Sequence, residues 1–289
     1  MTQKTQFKLH LQTLEKIGTI MTAMRNLSFI EMSKASRFLI TQDQIQSLIN
    51  QMGNDFLTSY PECQWQIHNE KTELLVLIGS ERGFCSSFND NLTDYIKKNH
   101  PKQASPQIKY VIVGKKLAEK MGPDKRIIHQ LEGPSTIEEI SDIIFNLLDS
   151  LNLIFTNLNL KPGSWSIIFN KKKNNTIQTM TQHPYSELIR KSNGLPTSPH
   201  LNVPPKRLIS EFMNQYLFYL FYTLFYQSFF AENYCRSNHL QSALEHLHRK
   251  VNRLKRKINL LRQEEITQEI QTIMLSVDIL LNEAKDGYE

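Results

Sequence analysis

From Lys206 to Asp286 the chain contains no proline and no glycine over about 80 residues. Those are the two residues that most readily end or bend a helix. Their absence makes the stretch read as one helix, far beyond the roughly 12 residues of an average globular one. Cysteine is also scarce. Cys63, Cys85 and Cys235 form no C-x-x-C and no metal spacing, and an odd, sparse count fits free thiols in a reducing compartment. Neither G-x-G-x-x-G nor G-x-x-x-x-G-K-[ST] occurs, which removes the two common phosphate cradles. His239 and His246 stand seven apart and His246 and His248 two apart, so no helix face offers the i, i+4 histidine pair of a zinc site. Glu138 with Glu139 and Glu264 with Glu265 are adjacent; on a helix such neighbours point apart and form no acid/base dyad. We expect no cofactor, no metal and no catalytic residue.

The N-terminus lacks the unbroken apolar core of a secretory signal. One uncharged run, Phe212 to Ala231, is long enough to cross a bilayer. It is thick with tyrosine, holds Asn214, Gln215 and Gln227, and has no basic flank beyond Lys206 and Arg207. It therefore reads as a helix buried against a domain, with no direct membrane insertion.

What is present begins with a seam. Leu240, Leu244, Leu247, Val251, Leu254, Ile258 and Leu261 alternate four and three apart, the seven-residue repeat of a helix that winds against another. A continuous helix over this stretch reaches roughly 120 Å at about 1.5 Å per residue. A second helical candidate runs from about Phe7 to Gln51, with Gly53 as its stop. Leu14, Ile17, Met21 and Met24, then Phe38, Ile45, Ile49 and Met52, carry its apolar spacing, and Ser28 and Glu31 disturb it. Two helices at opposite ends of one chain, joined through a compact insert, would pair antiparallel.

The insert reads as α/β. Glu73 to Gly79 is a continuous apolar strand, Asn91 to Lys98 a helix, Ile108 to Val113 a strand and Lys115 to Met121 a helix. Arg126 to Gln130 is a short strand and Thr136 to Phe155 an amphipathic helix, with Glu138 and Glu139 behind Ser135 or Thr136 at its start. Ser164 to Phe169 and Thr176 to Gln182 pair around a Lys171 to Asn175 turn. The fold class is α/β: a long antiparallel coiled coil of N- and C-terminal helices with an inserted Rossmann-like α/β domain. The domains are 1–60, N-terminal shaft helix; 70–182, Rossmann-like domain; 183–205, a proline-rich connecting loop; and 206–289, C-terminal shaft helix.

Charge and apolarity vary along the C-terminal helix. The chain has net charge +6 and pI about 9.1. Arg249, Lys250, Arg253, Lys255, Arg256 and Lys257 stand against Glu245 alone, and from Glu264 onward acidic residues dominate. Such a cluster fits a solvated face or an acidic partner, nucleic acid included, although in basic-region zippers the basic segment precedes the heptads. Beyond Leu261 the seam shifts to Ile266, Ile270, Ile273, Val277 and Leu280; Met274, Leu275, Ile279 and Leu281 make the last turns apolar nearly all round. A lone helix of that kind needs a protein sleeve. The strand-to-helix turn Ser80 to Asn89 sits where phosphates bind in α/β folds, and Cys85 within it is a conceivable nucleophile; a structural turn is the simpler reading.

Three stretches resemble the gamma subunit of F-type ATP synthases. Ser80 to Asn89 (SERGFCSSFN) is similar to the family's S-D-R-G-L-C-G-G-F-N, with Glu81 for Asp, Phe84 for Leu, and Ser86 and Ser87 for the glycines. Glu232, Arg236 and Ala243, then Asn259, Arg262, Gln263, Ile266, Thr267 and Glu269, match its C-terminal pattern, and Ile20 to Arg25 resembles I-T-K-A-M-[KE]. The resemblance implies a non-catalytic rotor shaft whose partners are the alpha and beta subunits of the catalytic ring, the epsilon subunit and the membrane c-ring, without nucleic acid. It carries rotor–stator contacts onto Met24, Arg25, Asn259, Arg262 and Gln263, and a bearing tip onto Met274, Val277, Leu280 and Leu281. Ser28, Phe29 and Ile30, the basic cluster and the aromatic Phe212 to Phe230 run depart from the family pattern and mark the chain as divergent, in keeping with a variant-type bacterial enzyme peripheral to the cytoplasmic face of the plasma membrane. A coiled-coil nucleic-acid binder and a free α/β enzyme at Cys85 are the alternatives.

Overall fold

The computed structural model describes residues 3–63, 72–100, 107–158, 164–185 and 200–286; the side chains of 3, 4, 43, 62, 72, 276 and 278–286 lie outside that description. The helices are α1 (Gln3–Ser59), α2 (Phe88–Asn99), α3 (Lys115–Met121), α4 (Ile140–Leu158) and α5 (Pro205–Asp286). The strands are β1 (Thr72–Ile78), β2 (Gln107–Val113), β3 (Ile127–Leu131), β4 (Trp165–Lys173) and β5 (Thr176–Gln182). Pro205 opens α5, the position where a missing N–H costs nothing. The connecting loop expected over 183–205 falls largely in 186–199, outside the described residues.

The chain divides into two compact units: Met1–Arg25 with Leu240–Glu289, and Asn26–His239. The first unit is the antiparallel helix pair. Arg25 meets Gln241, Gly18 meets Leu247 and Glu15 meets Lys255, so one number rises as the other falls. Leu14, Leu240, Leu244, Val251 and Ile258 are buried along the seam, and a Cβ on Gly18 would lie 3.1 Å from Leu247 Cδ2. The small residue lets the helices approach there.

In the second unit a five-stranded sheet has the order β3-β2-β1-β4-β5, parallel except for β5, which runs antiparallel to β4. The unbroken apolar run of β1 follows from its two covered faces. Leu74, Val76 and Ile78 point to the layer built from α1, α4 and α5; Leu75 and Leu77 point to the layer of α2 and α3. The aromatic run of α5 belongs to the first layer, where Tyr216, Phe221, Phe225 and Phe229 are buried. This burial explains its hydrophobicity, and among the described residues no helix is long and apolar enough to cross a membrane. The β4–β5 hairpin turns through Asn174 and Asn175, both at positive φ (46° and 66°), the backbone of a two-residue type I′ loop.

Three expectations for α1 need correction. Gly53 does not stop the helix, which continues to Ser59 and ends before Pro61. A helical glycine costs about 1 kcal/mol relative to alanine, and Gly53 is buried with Leu57 one turn on packed into the core, which offsets that cost. Ser28 and Glu31 do not disturb the packed line; they lie on it, both buried, with Ala35 and Gln42. Ile17, Phe38 and Met52, assigned to the seam, are exposed; from Ser28 to Gln42 the buried face is built from small and hydrogen-bonding residues, and Phe38 flanks it.

Candidate functional site

The strand-to-helix turn after β1 is held by hydrogen bonds from several elements of the second unit. A side chain on Gly79 would meet Leu117 Cβ at 2.3 Å, so only glycine lets the chain leave the sheet there. Glu81 Oε2 then accepts from Lys115 N–H (2.9 Å) and Gly133 N–H (2.7 Å), tying the turn to the loops after β2 and β3. Arg82 Nε donates to Ser135 Oγ at 3.2 Å. Asn89 accepts from Ser80 N–H and donates to Ser80 Oγ, which closes the turn on itself.

Into this turn reaches α5. Arg236, 6% exposed, donates from Nε to Gly83 O (3.1 Å) and from Nη2 to Arg82 O (3.3 Å) and Cys85 Sγ (3.2 Å). Its Nη1 donates to Asn233 Oδ1 at 2.9 Å, and Nη2 also pairs with the Glu232 carboxylate one turn back. The i, i+4 spacing puts both ions on one helix face. Burial raises the Glu232 pKa against the pull of Arg236. Burial also disfavours charge on Arg236, but Glu232 and Cys85 outweigh it and the guanidinium stays protonated. Burial, reinforced by Glu232 and opposed by Arg236, pushes the Cys85 thiol to about 12. A thiol held there is no nucleophile at neutral pH, so the turn is a structural anchor and the Cys85 enzyme reading has no support in it. Among the described residues no group of three or more His, Cys, Asp and Glu side chains could hold a metal ion.

The residues expected to contact a stator lie in the first unit at two levels. Arg25 Nη1 donates to Gln241 Oε1 at 2.7 Å, and Gln241 in turn donates to Glu245. Arg25 is thus a cross-link between the helices, with Met24 half-buried beside it. Asn259, Arg262 and Gln263 are exposed and share one helix face by their spacing of three and four. Eighteen residues separate Gln241 from Asn259 along α5, roughly 27 Å at about 1.5 Å per residue, so the two groups are not brought together. Met274 is 64% and Val277 48% exposed, and Ile266, Ile270, Ile273 and Leu275 are exposed with them. The side chains of Leu280 and Leu281 lie outside the described residues. Part of the basic cluster is engaged within the pair: Lys255 binds Glu15 at 2.8 Å and Lys257 sits 4.7 Å from the centre of the Phe7 ring.

Sequence reasoning missed Glu31 and gave no role to Glu232 or Arg236. The signal was available in the second case: an oppositely charged i, i+4 pair directly after an uncharged aromatic run has either to be paired or to be expelled from the packed face.

The chain is thus made of an antiparallel helix pair whose α5 ends in exposed apolar residues and of a five-stranded α/β unit. The family model for ATP synthase matches residues 3–280. A relative named ATP synthase gamma chain, from Rickettsia typhi, is 25% identical over 291 residues, covering 96% of this chain and 99% of its own length. The gamma chain of Rickettsia prowazekii is 23% identical with 96% and 99% covered. The rotor of the Euglena gracilis mitochondrial ATP synthase has the same fold, with a TM-score of 0.61 at 13% identity over 91% of this chain and 98% of that one. The chain belongs to the ATP synthase family as a gamma chain, the non-catalytic central-stalk subunit. The nucleic-acid alternative finds no support.

Proposed function

We propose that this chain turns inside a ring of alpha and beta subunits and converts ion-driven rotation into changes of nucleotide affinity at the beta subunits. In this reading residues 1–60 and 206–289 are the shaft, 70–182 the foot that meets the epsilon subunit and the membrane c-ring, and 183–205 the link between foot and shaft. Met24 and Arg25 face one loop of beta. Asn259, Arg262 and Gln263 face another, where charge-assisted hydrogen bonds set the resting angles. Met274, Val277, Leu280 and Leu281 turn in an apolar sleeve. The complex sits at the cytoplasmic face of a bacterial plasma membrane, a placement supported by the Rickettsia relatives.

One observation carries the reading: beyond the paired seam, α5 exposes Ile266, Ile270, Ile273, Met274, Leu275 and Val277 together. Apolar surface costs about 25 cal/mol per Å² in water, and a patch of this extent marks an interaction site. The test is purification of the tagged chain with its partners, followed by ATP turnover of the reconstituted complex. Alpha and beta subunits should co-purify, and Arg262→Ala with Gln263→Ala should lower turnover. Recovery of the chain without them would remove the rotor reading, and normal turnover in the double variant would remove the assigned contacts.

A further inference from the structure

Resting on the rotor reading, we propose that Arg236, held by Glu232, is a positioning residue for energy coupling: it locks α5 to the α/β domain so that torque on the domain reaches the helix without slip. The geometry distinguishes this contact from most of the α5 packing in the second unit, where a hydrogen bond between Ser141 Oγ and Tyr222 OH at 2.9 Å also reaches the helix. Met213, Tyr216, Leu220, Phe221, Leu224, Phe225 and Phe229 meet the sheet layer through apolar surface, and apolar attraction is non-directional. A helix seated on such surface alone can roll by exchanging one set of contacts for another.

The Arg236 contacts do not permit exchange. Three acceptors on the turn, Gly83 O, Arg82 O and Cys85 Sγ, lie 3.1 to 3.3 Å from its nitrogens. A side-chain tip about 6 Å from the helix axis moves roughly 3 Å when the helix rolls by about 30°, which breaks all of them at once. Glu232 and Asn233 lie on the same helix and would turn with Arg236, so the roll would carry a buried ion pair off the turn and strip the guanidinium of its three acceptors there, a costly state for a buried charge. The turn does not yield either, because Glu81 and Arg82 bind it to the loops after β2 and β3. On the other helix, Glu31 makes a comparable tie from α1 to Ile137 N–H at 2.9 Å.

The test uses the complete ATP synthase in ion-tight vesicles, with ATP hydrolysis and ATP-driven ion uptake measured on the same preparation. For Arg236→Ala, hydrolysis should stay within about twofold of wild type while ions moved per ATP fall several-fold; Arg236→Lys, which keeps the charge without the fork, should recover part of the loss. Glu232→Gln should give a smaller fall in the same ratio and decides the matter if the alanine variant does not assemble. Phe225→Leu, which loosens the same helix without touching the clasp, should lower thermal stability and leave the ratio unchanged. An unchanged ratio in the Arg236 and Glu232 variants, or an equal fall in Phe225→Leu, overturns the proposal while the rotor reading stands. A wild-type complex that pumps no ions would count against the rotor reading instead.

Discussion

The carboxylate of Glu31, on α1, accepts a hydrogen bond from the backbone N–H of Ile137 at 2.9 Å, at the start of the helical segment that leads into α4. Lys34 bridges the same point by pairing with Glu31 (3.1 Å) and Glu138 (2.9 Å). Glu31 is 4% exposed, so the N–H it satisfies has no water to turn to. Replacing Glu31 by alanine should cost about 1–3 kcal/mol, the desolvation cost of an orphaned buried donor. Glutamine, which keeps an acceptor but not the charge that favours a helix N-terminus, should cost about 1 kcal/mol. Thermal unfolding of the purified variants reads the difference, and equal stability of glutamate and alanine would show that the N–H finds another partner.

Cys85 and Cys235 should resist alkylation. Burial is the leading cause in both, lifting the first thiol to about 12 and the second to about 11. At pH 8 the reactive thiolate is a minute fraction of either. Iodoacetamide should label them in the native chain at least tenfold more slowly than after unfolding, and rapid native labelling of Cys85 would revive a catalytic role.

Ser86 has φ of 51° and Phe84 φ of 63°. The left-handed region costs a non-glycine residue about 1–2 kcal/mol, and the greater freedom of glycine in the unfolded chain returns part of that. Ser86→Gly should therefore stabilise by about 0.5–1 kcal/mol. A rise in unfolding temperature checks this, and a fall would mean that the Ser86 side chain contributes more than its backbone loses.

Acid should remove one contribution at the start of the central strand, β1. Glu73 is held below its ordinary value of 4.5, first by the hydrogen bond with His100, with burial opposing and Ser166 assisting. A depressed carboxylate stabilises the fold fully above its unfolded pKa and loses that contribution as pH falls through the folded one. The window thus lies from about pH 4.5 downward. Glu73→Gln should flatten that part of the stability–pH curve and leave the neutral region closer to wild type; a superimposable acid limb would assign the loss to other carboxylates.

At the exposed end of α5, Met274→Ser with Val277→Ser should leave the unfolding temperature of the isolated chain nearly unchanged, since exposed substitutions usually stay within about 0.5 kcal/mol. Turnover of the assembled complex should fall. A loss of chain stability would mean that this segment packs against its own fold.

Much of the architecture was legible because it follows from local pattern. Lys115 to Met121 and Thr176 to Gln182 match their elements end to end, since Gly114 and Gly122 bracket the helix and alternation marks the strand. Of the seam from Leu240 to Ile258, Leu240, Leu244, Val251 and Ile258 are buried and Leu247 and Leu254 half-buried. The failures lie where partner geometry outranks hydrophobicity. Phe38, which spacing assigns to the seam, is exposed and meets Tyr226 in a tilted ring pair at 5.1 Å, while Ser28 and Glu31, which by polarity disturb the seam, are buried. Gly53 looked like a terminus, and the core beneath it kept the helix going.

By itself the sequence determined the long helices, the alternating strand and helix order, and the apolar end of α5, because periodicity, the absence of helix breakers and turn chemistry act within a few residues of each other. Only the tertiary structure decided that Arg236 would meet a turn about 150 residues earlier in the chain and that Glu31 would cap a helix start 106 residues on. Such contacts depend on distance in space, and a buried charge reveals its partner only when the fold has brought that partner within hydrogen-bond reach.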